Sequence, residues 1–262
     1  MSFFSKDVLA PEHRKYNLQK QPEDKRDIPL KSVLGWTMSQ WKLPPKRSLR
    51  GLLFNPPIYN QGVLGSCSAN ATGFAYQYES KKQRLLFSSA PSRLFIYYNS
   101  RLIEWTTDAD TGSHMRNSIK ALAKYGVIPE SEYPYDPSAF ALKPSDANYR
   151  NALANTIDWY YSVAKSEQAI KQAIYQRFPV VFGMSIYGAI NYVTKDKPVL
   201  SMSTAEWPLG WHALVIVGYD DTKRLYLVRN SWGDGWADGG YFYVPYAYIE
   251  MYGFDFWVIS KI

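Results

Sequence analysis

Near residue 180 the apolar pattern of this chain changes period, and that change limits the fold more than any other feature. Before it, Cys67, Ala71, Phe74, Ala75 and Tyr78 fall on one helical stripe. The spacing predicts a helix from Ser66 to about Arg84 that starts at the cysteine. Further helices are expected around Pro91 to Glu104, Ser113 to Tyr125 and Ser166 to Arg177, the last opened by Ser166-Glu167-Gln168-Ala169. Beyond the change, short β-branched and aromatic runs are broken by Gly, Asp and Pro. These predict strands at Val180 to Ile186, Leu214 to Tyr219, Leu225 to Arg229 and Gly240 to Val244. Helices first and sheet second make an α+β arrangement with two lobes, mostly helical over about 60–160 and mostly β over about 161–262.

A chain of 262 residues can bury a full core. It has to, because Cys67 is the only cysteine and no intramolecular disulfide can form. A reducing compartment suits such a chain. No stretch approaches the roughly 18 uninterrupted apolar residues of a membrane span, and the start Met-Ser-Phe-Phe-Ser-Lys lacks the apolar run of a secretory signal. The expectation is a soluble, intracellular monomer. One cysteine and three scattered histidines give no zinc spacing, so neither a metal nor a cofactor is expected.

The net charge of +7 is an N-terminal property: residues 1–50 hold 11 Lys and Arg against 5 Asp and Glu, and the remainder holds 19 against 18. Residues 1–42 are polar, carry Pro11, Pro22 and Pro29, and show no periodicity. They read as a basic extended arm ending near Leu43-Pro44-Pro45, followed by a domain over 43–262. A solvated tail is the simpler reading of such charge, and no specific nucleic-acid binding is expected.

The segment Gln61-Gly62-Val63-Leu64-Gly65-Ser66-Cys67-Ser68 sets the cysteine in the first turn of a helix. Free N–H groups and the positive end of the helix dipole there favour a thiolate. The Cys67 N–H together with a side-chain amide from Gln61 could hold an oxyanion. By itself this loop reads more simply as core packing than as catalysis. Downstream, His212 opens the apolar run Ala213-Leu214-Val215-Ile216-Val217, which ends at the turn signal Gly218-Tyr219-Asp220-Asp221-Thr222-Lys223. A second run, Leu225 to Arg229, leads into Asn230-Ser231-Trp232-Gly233. A hairpin centred between Asp221 and Thr222 places Val217 opposite Tyr226 and His212 opposite Ser231, beside Asn230. An asparagine carbonyl bonded to one imidazole nitrogen aims the other at a thiol. Trp232 could shield that bond.

Together these segments resemble the papain and cathepsin family of cysteine peptidases. The glutamine, five residues, cysteine spacing of Gln61 to Cys67 is similar to the family's nucleophile loop. Trp211-His212-Ala213 with Val217-Gly218-Tyr219 resembles its histidine strand, and Asn230-Ser231-Trp232-Gly233-Asp234-Gly235-Trp236 its asparagine motif. The resemblance spans roughly residues 43–262. It implies a helical lobe and an antiparallel β-barrel-like lobe with a cleft between them, peptide or protein substrates, and acyl transfer through Cys67. His212 is then acid and base, Asn230 its orienter and Gln61 the oxyanion donor. It also implies substrate contacts at Gly65, Gly112, Ala213, Trp232 and Trp236, and Phe254 or Asp255 at the floor of the main side-chain pocket. Two departures are visible: Leu64 stands where many relatives have a disulfide cysteine, and Ser68 follows the nucleophile where an aromatic residue is usual. A non-catalytic binding protein and a peptide ligase or amidase using the same pair stay open as alternatives. The arm is expected to lie over the cleft and damp activity.

Overall fold

The computed structural model describes residues 8–22, 24–34, 42–87, 89–203 and 207–260. The first seven residues of the arm, Glu23 and the stretch 35–41 before the expected boundary lie outside these. The described arm is mostly extended, with a short 3-10 turn at Pro11–His13 and one five-residue helix, α1, at Leu30–Leu34.

Strand β1 (Lys46–Ser48) precedes the long helix α2 (Cys67–Lys82), which begins where the apolar stripe predicts. Every α2 residue from Cys67 to Ser80 is buried, so the helix is the axis of its half of the molecule rather than an amphipathic cover. It packs on α3 (Arg93–Glu104) and α4 (Met115–Tyr125) on one side and reaches β4 (Gly210–Asp220) on the other. Helix α3 is capped by Ser92, whose side chain accepts from the Phe95 N–H. Helix α5 (Asp146–Ala152) has a capping box built by Ser145 and Asn148. Strand β2 (Trp159–Ser162) and α6 (Glu167–Tyr175) follow, and α6 is capped by Ser166 as its sequence predicts.

The sheet continues with β3 (Val180–Ile186), β4, β5 (Leu225–Arg229), β6 (Tyr241–Pro245) and, after α7 (Tyr246–Tyr252), β7 (Gly253–Ser260). Its order is β2-β7-β3-β4-β5-β6, antiparallel throughout, with β1 also paired to β4. The seven strands form an open sheet rather than a closed barrel. Among the described residues its outer strands β2 and β6 do not pair with each other; β2 is bridged by Pro29 and β6 by Val199. The interior of β4, Ala213 to Val217, is fully buried; each such Val, Leu or Ile contributes about 1.5–3 kcal/mol of hydrophobic stabilisation.

The hairpin exists with a different register. Asp220 Oδ1 accepts from the N–H and hydroxyl of Thr222 and from the Lys223 N–H, which tightens a four-residue turn. Tyr219 then faces Tyr226, and a bulge between Ile216 and Gly218 leaves Val215 opposite Arg229. His212 therefore extends past the end of β5 instead of pairing with Ser231, and it lies opposite Met184 of β3.

Candidate active site

Gln61, fully buried, donates its backbone N–H to Ser231 O at 2.8 Å and its side-chain Nε2 to Leu64 O at 3.0 Å. Its Oε1 accepts from Ser231 Oγ at 2.7 Å. Both contacts fix which way the amide faces, so the second N–H of Nε2 has a defined direction. The Gln61 carbonyl is held by Tyr135 Oη at 2.8 Å, and the same phenol meets Ser66 Oγ. The Gly65 N–H is taken by the Asp110 carboxylate at 3.0 Å. Thus the loop before Cys67 is pinned at three successive points. Ser68, unusual beside the resemblance, bonds Ser113 Oγ at 2.6 Å and ties the first turn of α2 to the segment carrying Gly112.

Across from this loop, His212 Nε2 and Asn230 Oδ1 lie 2.9 Å apart. The His212 ring stacks on Trp232 with centroids at 5.2 Å and 26° between planes. Trp232 is buried and covers the histidine; Trp236 stands edge-on behind it at 4.9 Å and packs on Phe242, away from the histidine. Among the described residues, His212 Nδ1 has no hydrogen-bond partner. The backbone N–H groups of Ala213, Ser68 and Cys67 itself act on the Cys67 sulfur in the direction that favours the thiolate. The cysteine at the head of α2 and the histidine at the head of β4 are therefore brought together through Ala213.

The protonation states depart from expectation. Burial pushes the Cys67 thiol up to about 11 despite three N–H donors at the sulfur, and the Asp110 charge raises it further. Burial also pushes His212 down to about 4 against the bond from Asn230, with Arg14 adding in the same direction. Around neutral pH both groups are uncharged in this form. The helix N-terminus favours a thiolate, but the loss of water outweighs it.

Part of that burial comes from residues of the arm that no motif singled out. Tyr16 sets its ring edge on His212 at 5.9 Å, and the Arg14 guanidinium lies 4.4 Å over Trp232. Trp211 N–H donates to Tyr16 O at 3.1 Å, Leu18 N–H to Trp211 O at 3.0 Å, and Gln19 N–H to Ser113 O at 3.2 Å. Leu18, 1% exposed, fills the space where a side chain on Gly183 would stand and touches Phe254 there. A Cβ on Gly112 would lie 1.7 Å from Asn17 O, so only glycine lets that strand of the arm pass. Phe254 thus borders the Leu18 pocket. Asp255 is raised to about 6 by burial, against the lowering effect of the Gln21 backbone. Of the remaining sequence-predicted positions, Gly65 faces Asn17 and Ala213 faces the sulfur. The one signal for the arm's path was an isolated leucine, Leu18, in a polar stretch.

A family model described as papain family cysteine protease matches residues 54–255. The chain belongs to the papain family of cysteine proteases. It is 37% identical over 215 residues to an uncharacterised peptidase C1-like protein of Acanthamoeba polyphaga mimivirus, covering 78% of this chain and 69% of that one. A cysteine protease of Blomia tropicalis is 28% identical over 71% of this chain, which spans 56% of the relative's length. Among solved structures, xylellain, a cysteine protease from Xylella fastidiosa, superposes with a TM-score of 0.83 at 37% identity, covering 94% of this chain and 96% of that one. The Carica candamarcensis cysteine protease in complex with E-64 shares the fold at TM-score 0.63 and 20% identity, covering 84% of this chain and 99% of that one.

Proposed function

We propose that this papain-family cysteine peptidase hydrolyses peptide bonds through a Cys67 thioester, and that residues 8–21 hold it in a covered, resting state. The observation that carries the catalytic reading is the 2.9 Å contact of Asn230 Oδ1 with His212 Nε2, which leaves Nδ1 without a hydrogen-bond partner among the described residues and available to the thiol. With the arm withdrawn, both groups gain water and the helix N-terminus can stabilise the thiolate–imidazolium pair. The thiolate attacks the peptide carbonyl, and the oxyanion accepts from the Cys67 N–H and Gln61 Nε2. His212 Nδ1–H then passes its proton to the leaving amine as the C–N bond breaks. Water, deprotonated by His212, attacks the thioester and frees the acid. The presence of all four polar positions argues against a non-catalytic binding role, and no observation favours a ligase or amidase over hydrolysis.

Arm direction supports the resting state. A leaving amine has to face His212, and Arg14 and Tyr16 lie on that side, against Trp232 and His212. Leu18 and Lys20 lie on the acyl side, against Gly183 and Phe254. The arm runs from leaving side to acyl side, opposite to a substrate, so it blocks the cleft without presenting a bond for attack. As one polypeptide with a single thiol, the enzyme suits a reducing compartment and action as a monomer. Among the described residues no helix is long and apolar enough to cross a membrane. The test is covalent: an epoxide of the kind directed at cysteine peptidases should label Cys67 stoichiometrically, and Cys67→Ala should lose both labelling and peptide hydrolysis. Retained hydrolysis in Cys67→Ala would overturn the mechanism.

A further inference from the structure

Asp110 is a partly buried carboxylate on the rim of the cleft that neither the resemblance nor the acyl-transfer chemistry uses. It precedes Gly112 in Asp110-Thr111-Gly112 and is held from the enzyme side: Oδ1 accepts from Tyr97 Oη and, at 3.0 Å, from the Gly65 N–H. These two donors fix the plane of the carboxylate. Oδ2 then faces the arm, where Lys15 Nζ sits at 2.6 Å, with Asp110 11% and Lys15 43% exposed. Arg101, whose charge also acts in this region, is spent on the carbonyls of Tyr97, Thr107, Ala109 and Phe140. Lys15 is therefore the one ion-pair partner of Asp110 among the described residues, and it belongs to the segment that has to leave.

The place beside this carboxylate is a side-chain position of the substrate. Asn17 packs its Cβ and Nδ2 at 3.0 and 3.1 Å from where a Gly65 Cβ would lie, with Asp110 Oδ1 at 3.3 Å from the same point, and Asn17 Nδ2 donates to Asp110 O at 3.3 Å. Gly65 is two residues before Cys67. A residue whose carbonyl carbon is within bonding reach of the sulfur has its own Cα less than one residue spacing away, so its side chain emerges over this part of the loop. A lysine or arginine there extends beyond the reach of Asn17 to Asp110 Oδ2, into the place vacated by Lys15.

We propose that Asp110 is a specificity-determining residue that selects peptides with a lysine or arginine as the residue whose carbonyl is attacked, and that Lys15 mimics this side chain in the covered form. The proposal rests on the peptidase reading above. A carboxylate with its plane fixed by donors from the enzyme loses no orientational freedom on pairing with a cation, and its partial burial limits screening. Leaving it without a counter-ion beside the nucleophile is unfavourable, and a basic substrate relieves this where an apolar one does not.

The experiment uses the full chain and its Leu18→Asp variant, the latter to dislodge the arm, with three peptidyl acyloxymethyl ketones that differ only in the residue next to the reactive carbon: arginine, leucine or glutamate. Arm opening multiplies all three labelling rates equally, so their ratio reports the cleft alone. The arginine probe should label Cys67 about tenfold or more faster than the leucine probe, with glutamate slowest. Asp110→Asn should bring arginine and leucine within about twofold, and Asp110→Lys should move glutamate ahead of arginine. A purely structural role for Asp110 would slow all probes together and leave the ratio intact. Equal arginine and leucine rates in the parent chain, or an unchanged ratio in Asp110→Asn, overturn the proposal while leaving the peptidase reading in place. No labelling by any probe in either background, with Cys67 still reactive toward iodoacetamide, overturns both.

Discussion

Replacing Leu18 by alanine tests whether the arm gates the nucleophile. The leucine is 1% exposed and its side chain occupies the hollow made by Gly183 and Phe254. Leucine to alanine at a fully buried site costs about 2–5 kcal/mol; because a strand docked on a surface can relax, the lower end, about 2 kcal/mol, applies. At roughly 1.4 kcal/mol per factor of ten, this raises the open fraction about 30-fold. Cys67 is buried and is the sole cysteine, so any thiol labelling of the chain reports it. With iodoacetamide in excess and the arm opening and closing rapidly, the alkylation rate is the open fraction times the intrinsic rate, and Leu18→Ala should be modified about 30 times faster than the parent. Val33→Ala, on the exposed side of α1 in the same arm, serves as the control and should alter the rate little. A Leu18→Ala rate within threefold of the parent would refute the gating argument, since the cost of emptying the hollow would then not reach the thiol.

In a Cys67→Ala background, where no thiolate pairs with the imidazole, the covered form holds His212 near 4, below its ordinary 6.5, so the arm's docking is fully favourable above about 6.5 and weakens as pH falls toward 4. Hydrogen exchange, expressed as protection factors for the Leu18 and Gln19 amides, should show protection falling by up to about tenfold per pH unit across that window. A His212→Gln variant should lose that dependence, and an equal dependence in the variant would assign the titration elsewhere. Gln61→Ala removes one oxyanion donor and should lower kcat about 100- to 1000-fold, with KM changed far less. A loss under tenfold would remove Gln61 from that role. The buried pair Arg93–Glu130 lies 2.5 Å apart and also bonds Asn60 O and Asn70 Oδ1 behind the nucleophile loop. Glu130→Ala should therefore cost about 3–5 kcal/mol in denaturant unfolding, because an unpaired guanidinium stays buried.

Where burial repeats at a fixed period, the sequence was readable. The limits of β3 and β5 coincide with their apolar runs, and α2 starts at Cys67 as its stripe requires. Among the described residues, α1, β1, α5, β2, α7 and β7 are not among the elements that the sequence predicts, and three of them show why. Strand β1 is Lys46-Arg47-Ser48, held by backbone pairing to the end of β4 rather than by apolar side chains. Strand β7 carries Asp255 at φ 52° next to an irregular pairing with β3, which breaks its alternation, and α7 follows Pro245 with no side-chain cap. The hairpin register differs because Asp220, read as part of the turn, still pairs with Leu225, which moves the centre of the turn to between Thr222 and Lys223. That error was harmless at the site. The shift is two residues next to the turn and, beyond the bulge at Val217, one residue, and within that slip His212 still meets Asn230.

Opposed contributions at Cys67 explain why its local sequence misled about its charge. A helix N-terminus contributes at most about 2 kcal/mol toward an anion, and in this form burial raises the thiol from 9.0 to about 11, roughly 3 kcal/mol against the thiolate. The first contribution is written in the glycines and the helix start and is present with or without the arm. The second depends on Tyr16, Asn17 and Leu18 excluding water from the cleft, and it lapses when they leave. In the proposed resting state, access and reactivity would be set by one equilibrium: the movement that admits a peptide also restores the water that an anionic sulfur needs. A thiol that becomes nucleophilic only when a substrate can reach it is protected from oxidation and alkylation at other times, which matters in a chain with no second cysteine to reverse the damage.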